Sequence, residues 1–224
     1  LKKIIFIVLL CLVSLYAAES STIKVIKLAQ KGERIAKVMC DKDKLPKATG
    51  TIEELTEKIK SSKACSPLSQ SKLKAVAYYV SNGSMKRGSH HIHVPDEAKC
   101  PVCGMFVAKY PKWAAVMEVD GEKRYFDGVK DMMKYYIFDG DFPYDRSRIA
   151  KITVSDYYTL EAIPAEEAFY VLDPDVYGPM GHELVPFKSK ESAKIFMSEH
   201  HGKALVGFDE ITDTMVMALD GIEQ

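Results

Sequence analysis

The sequence predicts an α+β fold, with two ββαβ-type units in a C-terminal domain preceded by a small all-helical domain. Three observations carry this. Residues 22–82 hold apolar stripes at helical spacing, with capping signals between them. From Cys100 onward the texture changes to short apolar or alternating runs separated by turn residues. The order strand, strand, helix, strand then occurs twice, over about 105–154 and about 168–208.

Ahead of the fold, residues 1–18 read as a secretory signal peptide. Lys2 and Lys3 form a basic start, Ile4 to Tyr16 an apolar run, and Ala17–Ala18 a small-residue cleavage site. The run is shorter than the ~20 apolar residues of a membrane-spanning helix. The expected address is therefore outside the cytoplasm; an uncleaved signal would leave the protein membrane-associated. Cys11 follows Leu9 and Leu10 rather than small residues, so it reads as part of the signal and not as a lipidated terminus.

The helical domain spans residues 22–82. Ile26 to Val38 carries a helical stripe. Thr51 with Glu54 three residues later forms a capping box, and Ile52, Leu55 and Ile59 continue as one face. Leu68 to Val80 gives a third helix, capped by Ser69 or Ser71 and stopped at Asn82-Gly83. Residues 83–98 read as a linker punctuated by Gly83, Ser84, Gly88, Ser89 and Pro95. Its His90, His91 and His93 could bind Cu(II), Zn or Ni, although surface linker histidines are commonly idle.

In the C-terminal domain, residues 99–224, Trp113 to Val119 reads as a strand and Asp120-Gly121 as a hairpin turn. Lys123 to Phe126 returns, and Asp127 is expected to cap a helix over Gly128 to Phe138. Ala150–Val154, Ala168–Leu172 and Leu184–Phe187 read as further strands. Ser189 to His201 is an amphipathic helix burying Ala193, Phe196 and Met197 and ending on Gly202. Ala204–Phe208 closes the set, and a short helix runs roughly from Asp213 to Leu219. Trp113, Tyr125, Phe126, Tyr135 and Tyr136 are most simply core aromatics. Met117 and one of Met132 and Met133 are packing residues. His200 and His201 sit where a helix C-terminus favours them.

Lysine plus arginine and aspartate plus glutamate both number 31, with no basic patch, which argues against a nucleic-acid partner. The chain lacks a glycine-rich phosphate loop, a His-Glu-x-x-His and a Gly-x-Ser-x-Gly. That favours a carrier over an enzyme.

Beyond the signal, Cys40, Cys65, Cys100 and Cys103 remain, which allows three pairings. An oxidising compartment favours disulfides. By position, Cys40–Cys65 is the expected structural bridge, and Cys100 and Cys103 are left for chemistry.

The chemistry lies in two segments, Lys99-Cys-Pro-Val-Cys-Gly-Met105 and Gly178-Pro-Met-Gly-His-Glu-Leu-Val-Pro-Phe187. Thiols and thioethers are soft ligands that select Cu(I). In an extended segment, side chains two apart share a face. On that premise Cys103 pairs with Met105, and Met180 with His182, giving a metal site of Cys103, Met105, Met180 and His182 with Cys100 as a second thiol. Zinc more commonly takes thiolate, imidazole and carboxylate than thioether. Each ligand also has a plainer reading: Cys100–Cys103 as a disulfide or redox pair, Met180 as core filling, His182 as a surface residue.

These residues resemble the NosL family, the accessory lipoproteins of nitrous oxide reductase assembly. The resemblance runs from about Lys99 to Ile211. It rests on Cys100-Pro-Val-Cys-Gly-Met105, Phe126-Asp-Gly-Val-Lys-Asp-Met132, Met180-Gly-His-Glu-Leu-Val-Pro-Phe187 and Gly207-Phe-Asp-Glu-Ile211. It implies a pair of ββαβ units and a periplasmic Cu(I) metallochaperone. The implied partners are apo nitrous oxide reductase, as recipient, and an ABC-type membrane complex of the same assembly pathway, as intermediary. Carried onto this chain, the implied ligands are Cys103, Met105 and Met180, with His182 beside them. The chain departs from the family in showing no lipidation box and in carrying the extra helical segment.

That segment resembles a c-type cytochrome domain, through Lys31-Gly-Glu-Arg-Ile35 and Pro67 to Val80. It lacks the haem motif Cys-x-x-Cys-His, since Asp41 to Lys44 follow Cys40. The rival functions are a thiol–disulfide oxidoreductase using Cys100 and Cys103, and a structural or sensor module holding zinc.

Overall fold

The structure, a computed structural model, describes residues 23–82 and 91–222. The expected signal peptide and His90 lie outside them; His91 and His93 are exposed. Among the described residues no helix is long and apolar enough to cross a membrane. The described residues divide into two compact units, 23–82 and 91–222.

The first unit is helical: α1 covers 23–39, α2 Ile52–Ser62 and α3 Gln70–Asn82. The Thr51–Glu54 capping box is formed in both directions, and Leu55 and Ile59 of α2 are buried with Ala36 of α1 and Leu73 and Val76 of α3. At Gly32, α1 lies so close to α3 that a Cβ would sit 1.9 Å from the carbonyl oxygen of Ala75. A Cys40–Cys65 disulfide ties the end of α1 to the segment between α2 and α3.

The second unit is α+β. Strands β1 Ala115–Val119, β2 Glu122–Phe126, β3 Ile149–Ser155 and β4 Ala162–Pro164 form an antiparallel sheet in the order β2-β1-β3-β4. Strands β5 Phe169–Leu172, β6 Leu184–Phe187 and β7 Ala204–Val206 form a second antiparallel sheet, β6-β5-β7. Helix α4, Val129–Ile137, follows β2, and α5, Lys190–Glu199, follows β6. Each half is thus a ββαβ unit whose first strand lies between the second and the last. Strand β4 extends the first sheet beyond the sequence expectation, and α6, Asp213–Ala218, closes the chain.

Asp120 and Gly121 both adopt positive φ, 56° and 78°, as the tight β1–β2 hairpin requires. Met117, Phe126, Met132, Met133, Ile152 and Val154 are all at most 2% exposed, so both methionines of α4 are core, not one. Pro186 lies in β6, an edge strand, where its missing N–H costs no ladder bond.

Two local expectations are corrected. Asp127 is not the cap of α4; the cap is Gly128, without a side-chain hydrogen bond. Helix α5 ends at Glu199 with His200 as its cap, and the left-handed residue is His201, at φ 53°. Gly202 serves packing instead: a Cβ there would meet Val171 Cγ1 at 2.3 Å.

Candidate metal centre

The segment holding the two free cysteines is a tight turn. Lys99 and Phe106 form an isolated bridge, the Cys100 N–H donates to Met105 O at 2.9 Å, and the Gly104 N–H donates to Cys100 O at 2.9 Å. Gly104 has φ +78°, a left-handed conformation that other residues adopt at a cost. The turn buries Cys100, 2% exposed, and leaves Cys103 half-buried; both are free thiols.

Opposite it stands the start of α4. Asp131 lies in the first turn of α4 and Asp127 just before its cap, and the chain brings both carboxylates to the two thiols. Cys103 Sγ donates to Asp127 Oδ1 at 3.1 Å, and Cys100 Sγ lies 3.5 Å from Asp131 Oδ2. The four donor atoms all lie within 4.8 Å of one another. Both carboxylates are at most 2% exposed. Asp127 Oδ2 is buried without a hydrogen-bond partner, an uncommon state for an acceptor in a folded core. Two sulfurs, two carboxylates and one orphaned oxygen make a donor set that fits a cation.

Burial pushes the Cys100 thiol up to about 12; the backbone N–H groups of Cys103 and Val102 oppose this and the Asp131 charge adds to it. Burial likewise raises Cys103, with Asp131 and Asp127 adding to it. Both groups are protonated at neutral pH and act as donors to the carboxylates. An incoming metal must displace those protons.

The second expected segment seats on the same helical turn. Gly178 and Gly181 exchange backbone hydrogen bonds at 2.8 and 3.2 Å, which leaves Met180 near the tip of a turn, 44% exposed. Lys130, 1% exposed, donates from Nζ to Met180 O at 2.8 Å and to Asp220 Oδ1 at 2.8 Å. Glu183, 1% exposed, accepts from the Lys130 N–H at 2.5 Å and from the Leu184 N–H at 2.9 Å. Burial raises the Glu183 carboxyl to about 8 against those two hydrogen bonds. Gly128 and Gly178 make room for it: a Cβ would lie 2.0 Å from Glu183 Oε2 at Gly128 and 3.2 Å at Gly178.

Of the residues expected from sequence, Cys100 and Cys103 are brought together, and the partners placed against them are Asp127 and Asp131. Met105 is half-buried in the turn, its carbonyl bonded to Cys100. His182 bonds through Nδ1 to Asp173 and stands edge-on to Tyr177 at 4.9 Å, leaving Nε2 as its remaining nitrogen. The extended-segment premise is corrected: Gly104 between Cys103 and Met105, and Gly181 between Met180 and His182, both have left-handed φ, +78° and +88°. Residues two apart across such a glycine do not share a face as they would on a strand. Sequence reasoning missed Asp127, Asp131, Lys130 and Glu183. The available signal was two aspartates close together at the entry to an amphipathic helix, Asp127 before its cap and Asp131 in its first turn.

Among solved structures, the copper chaperone NosL from Shewanella denitrificans is similar at 22% identity, over 55% of this chain and 96% of that one, with a TM-score of 0.49. The solution structure of the apo-NosL protein from Achromobacter cycloclastes is similar at 30% identity, over 46% of this chain and 87% of that one, with a TM-score of 0.34. No curated protein matches the chain. The NosL family model matches residues 91–216, more than half of the sequence and all of the elements that build the site, so this chain belongs to the NosL family.

Proposed function

We propose that this protein is a Cu(I)-binding metallochaperone that works outside the cytoplasm and does not itself catalyse a reaction. The observation that carries the reading is the pair of free thiols at the base of a tight turn, facing a buried, partly unsatisfied carboxylate pair. Thiols prefer soft Cu(I). Met105 and the exposed Met180 are the thioethers on the two turns that meet the start of α4, and His182 retains one nitrogen for a metal. On this reading Cys103, Met105 and Met180 are the principal ligands, with Cys100 and His182 beside them.

Family membership supports copper as the cargo, since a solved family member is named a copper chaperone. We further propose a periplasmic address, delivery to apo nitrous oxide reductase and an ABC-type membrane complex as intermediary, as the sequence resemblance implies. The oxidoreductase alternative is disfavoured by the raised thiols, because a reactive cysteine needs a lowered pKa. A zinc-class ion is the second reading. Asp127 and Asp131 favour it, since they stand where the sequence offered only distant histidines.

The test is an anaerobic titration of the reduced protein with Cu(I) against a chromophoric Cu(I) chelator, with zinc as competitor. Wild type is compared with Met105→Ala/Met180→Ala and with Cys100→Ser/Cys103→Ser. Tight Cu(I) binding that both double variants weaken by at least tenfold is expected. Binding unchanged by loss of the thioethers would remove them from the site and turn the reading to zinc.

A further inference from the structure

The cation-lined cleft beside the cysteine turn has no part in the metal site described above. It has a volume of about 370 Å³. Pro101, Tyr125 and Tyr135 supply its walls, and Lys99, Lys123 and Arg124 its charge, against the single acid Glu97. Arg124 packs over the Tyr135 ring, 5.8 Å from its centroid, and its Nε is buried without a hydrogen-bond partner. Among the described residues no carboxylate forms an ion pair with these three cations. A guanidinium that lines the cleft and is held against an aromatic face is positioned as a planar fork for a carboxylate.

Lys99 joins this cleft to a second feature. Its Nζ lies 4.8 Å from the ring centroid of Phe106, which also carries Lys109 Nζ at 5.2 Å. Phe106 is 39% exposed, one of few large apolar side chains left open among the described residues. It directly follows Met105, and Lys99 and Pro101 directly flank Cys100. Cations and an open aromatic ring therefore border the turn through which a metal would enter or leave. The volume is at the low end of the roughly 300–1,000 Å³ of small-molecule sites, and the walls are tyrosine and proline. Such a shape suits acidic side chains of an extended segment better than a large cofactor.

We propose that the cleft of Lys99, Lys123 and Arg124, continuous through Lys99 with Phe106, is a docking seat for an acidic peptide segment of a protein partner. Docking there would bring the partner against the cysteine turn, and the cations would accelerate the encounter at low salt.

The experiment uses the full, reduced, metal-free chain, so its outcome is independent of the copper reading. The probe is a fluorescein-labelled hexaglutamate peptide, followed by anisotropy and by the arginine Nε–H signals of ¹⁵N-labelled protein. Binding is expected to shift the Arg124 Nε–H signal. It should weaken steeply between about 0.01 M and about 1 M salt, as the Debye length falls from about 30 to about 3 Å. Arg124→Gln should weaken it at least tenfold. Lys123→Gln, an exposed change that leaves the fold alone, should weaken it several-fold, and Lys58→Gln in the helical unit not at all. Equal binding by Arg124→Gln and Lys123→Gln would overturn the proposal. So would free glutamate binding as tightly as the peptide, or no peptide binding at low salt.

Discussion

Lys130→Met tests how the second turn is held against α4. The substitution keeps the length of the side chain and removes its ammonium. Two hydrogen bonds disappear, to Met180 O and to Asp220 Oδ1, each at 2.8 Å. Bonds to a charged group are worth about 1.5–3 kcal/mol each. The removed ammonium is 2% exposed, and relief of its desolvation offsets part of that sum. Asp220 is 27% exposed and keeps Lys134, so it is not left stranded. The expected net loss is about 2–4 kcal/mol. Urea unfolding followed by Trp113 reads it cleanly, because this single tryptophan lies in the α+β unit. The same variant in a double-mutant cycle with Met180→Ala should show coupling of about 1 kcal/mol or more in Cu(I) affinity. A stability change below about 0.5 kcal/mol, the size of an ordinary surface substitution, would refute the reasoning.

Other outcomes follow from the same geometry. Because both thiols are raised and start protonated, Cu(I) affinity should climb with pH, by up to about tenfold per unit for each proton displaced, in a chelator competition run from about pH 6 to about pH 9. Gly104→Ala should lower stability in thermal unfolding by about 1–2 kcal/mol through backbone conformation alone, since a Cβ there meets nothing within 4 Å. Gly128→Ala should cost more, because its Cβ would strike the buried Glu183 carboxylate at 2.0 Å. Replacing Cys40 and Cys65 by serine should destabilise the helical unit by about 3 kcal/mol, as read by far-ultraviolet circular dichroism on heating, given a sequence separation of 25.

How much was legible in the sequence differs between the fold and the site. Local chemistry wrote the elements. The Thr51–Glu54 box, the Asp120-Gly121 turn and the alternation through Ala115–Val119 depend on neighbours within a few residues, and the structure forms each of them. The repeated strand–strand–helix–strand order was visible for the same reason. Strand β4 was not: Ala162–Pro164 is short and lacks a periodic signature, and only its pairing with β3 makes it a strand.

The site was half visible. Soft donors announce themselves by residue type, so Cys100, Cys103, Met105 and Met180 could be singled out without coordinates. What they face could not, because it is set by contacts across long stretches of chain. Asp127 carried a plausible local role as a helix cap, and the structure turns its carboxylate to Cys103 instead. Lys130 and Glu183 stood inside the segments that carry the family resemblance, but nothing local marked their role, since a buried lysine and a buried glutamate read as surface charges until the tertiary structure encloses them. By itself the sequence determined the elements, their order and the soft-ligand character of the chain, all matters of neighbouring residues. The tertiary structure alone decided that two aspartates face the thiols and that one helical turn receives both loops, because those pairings join residues between 24 and 53 positions apart.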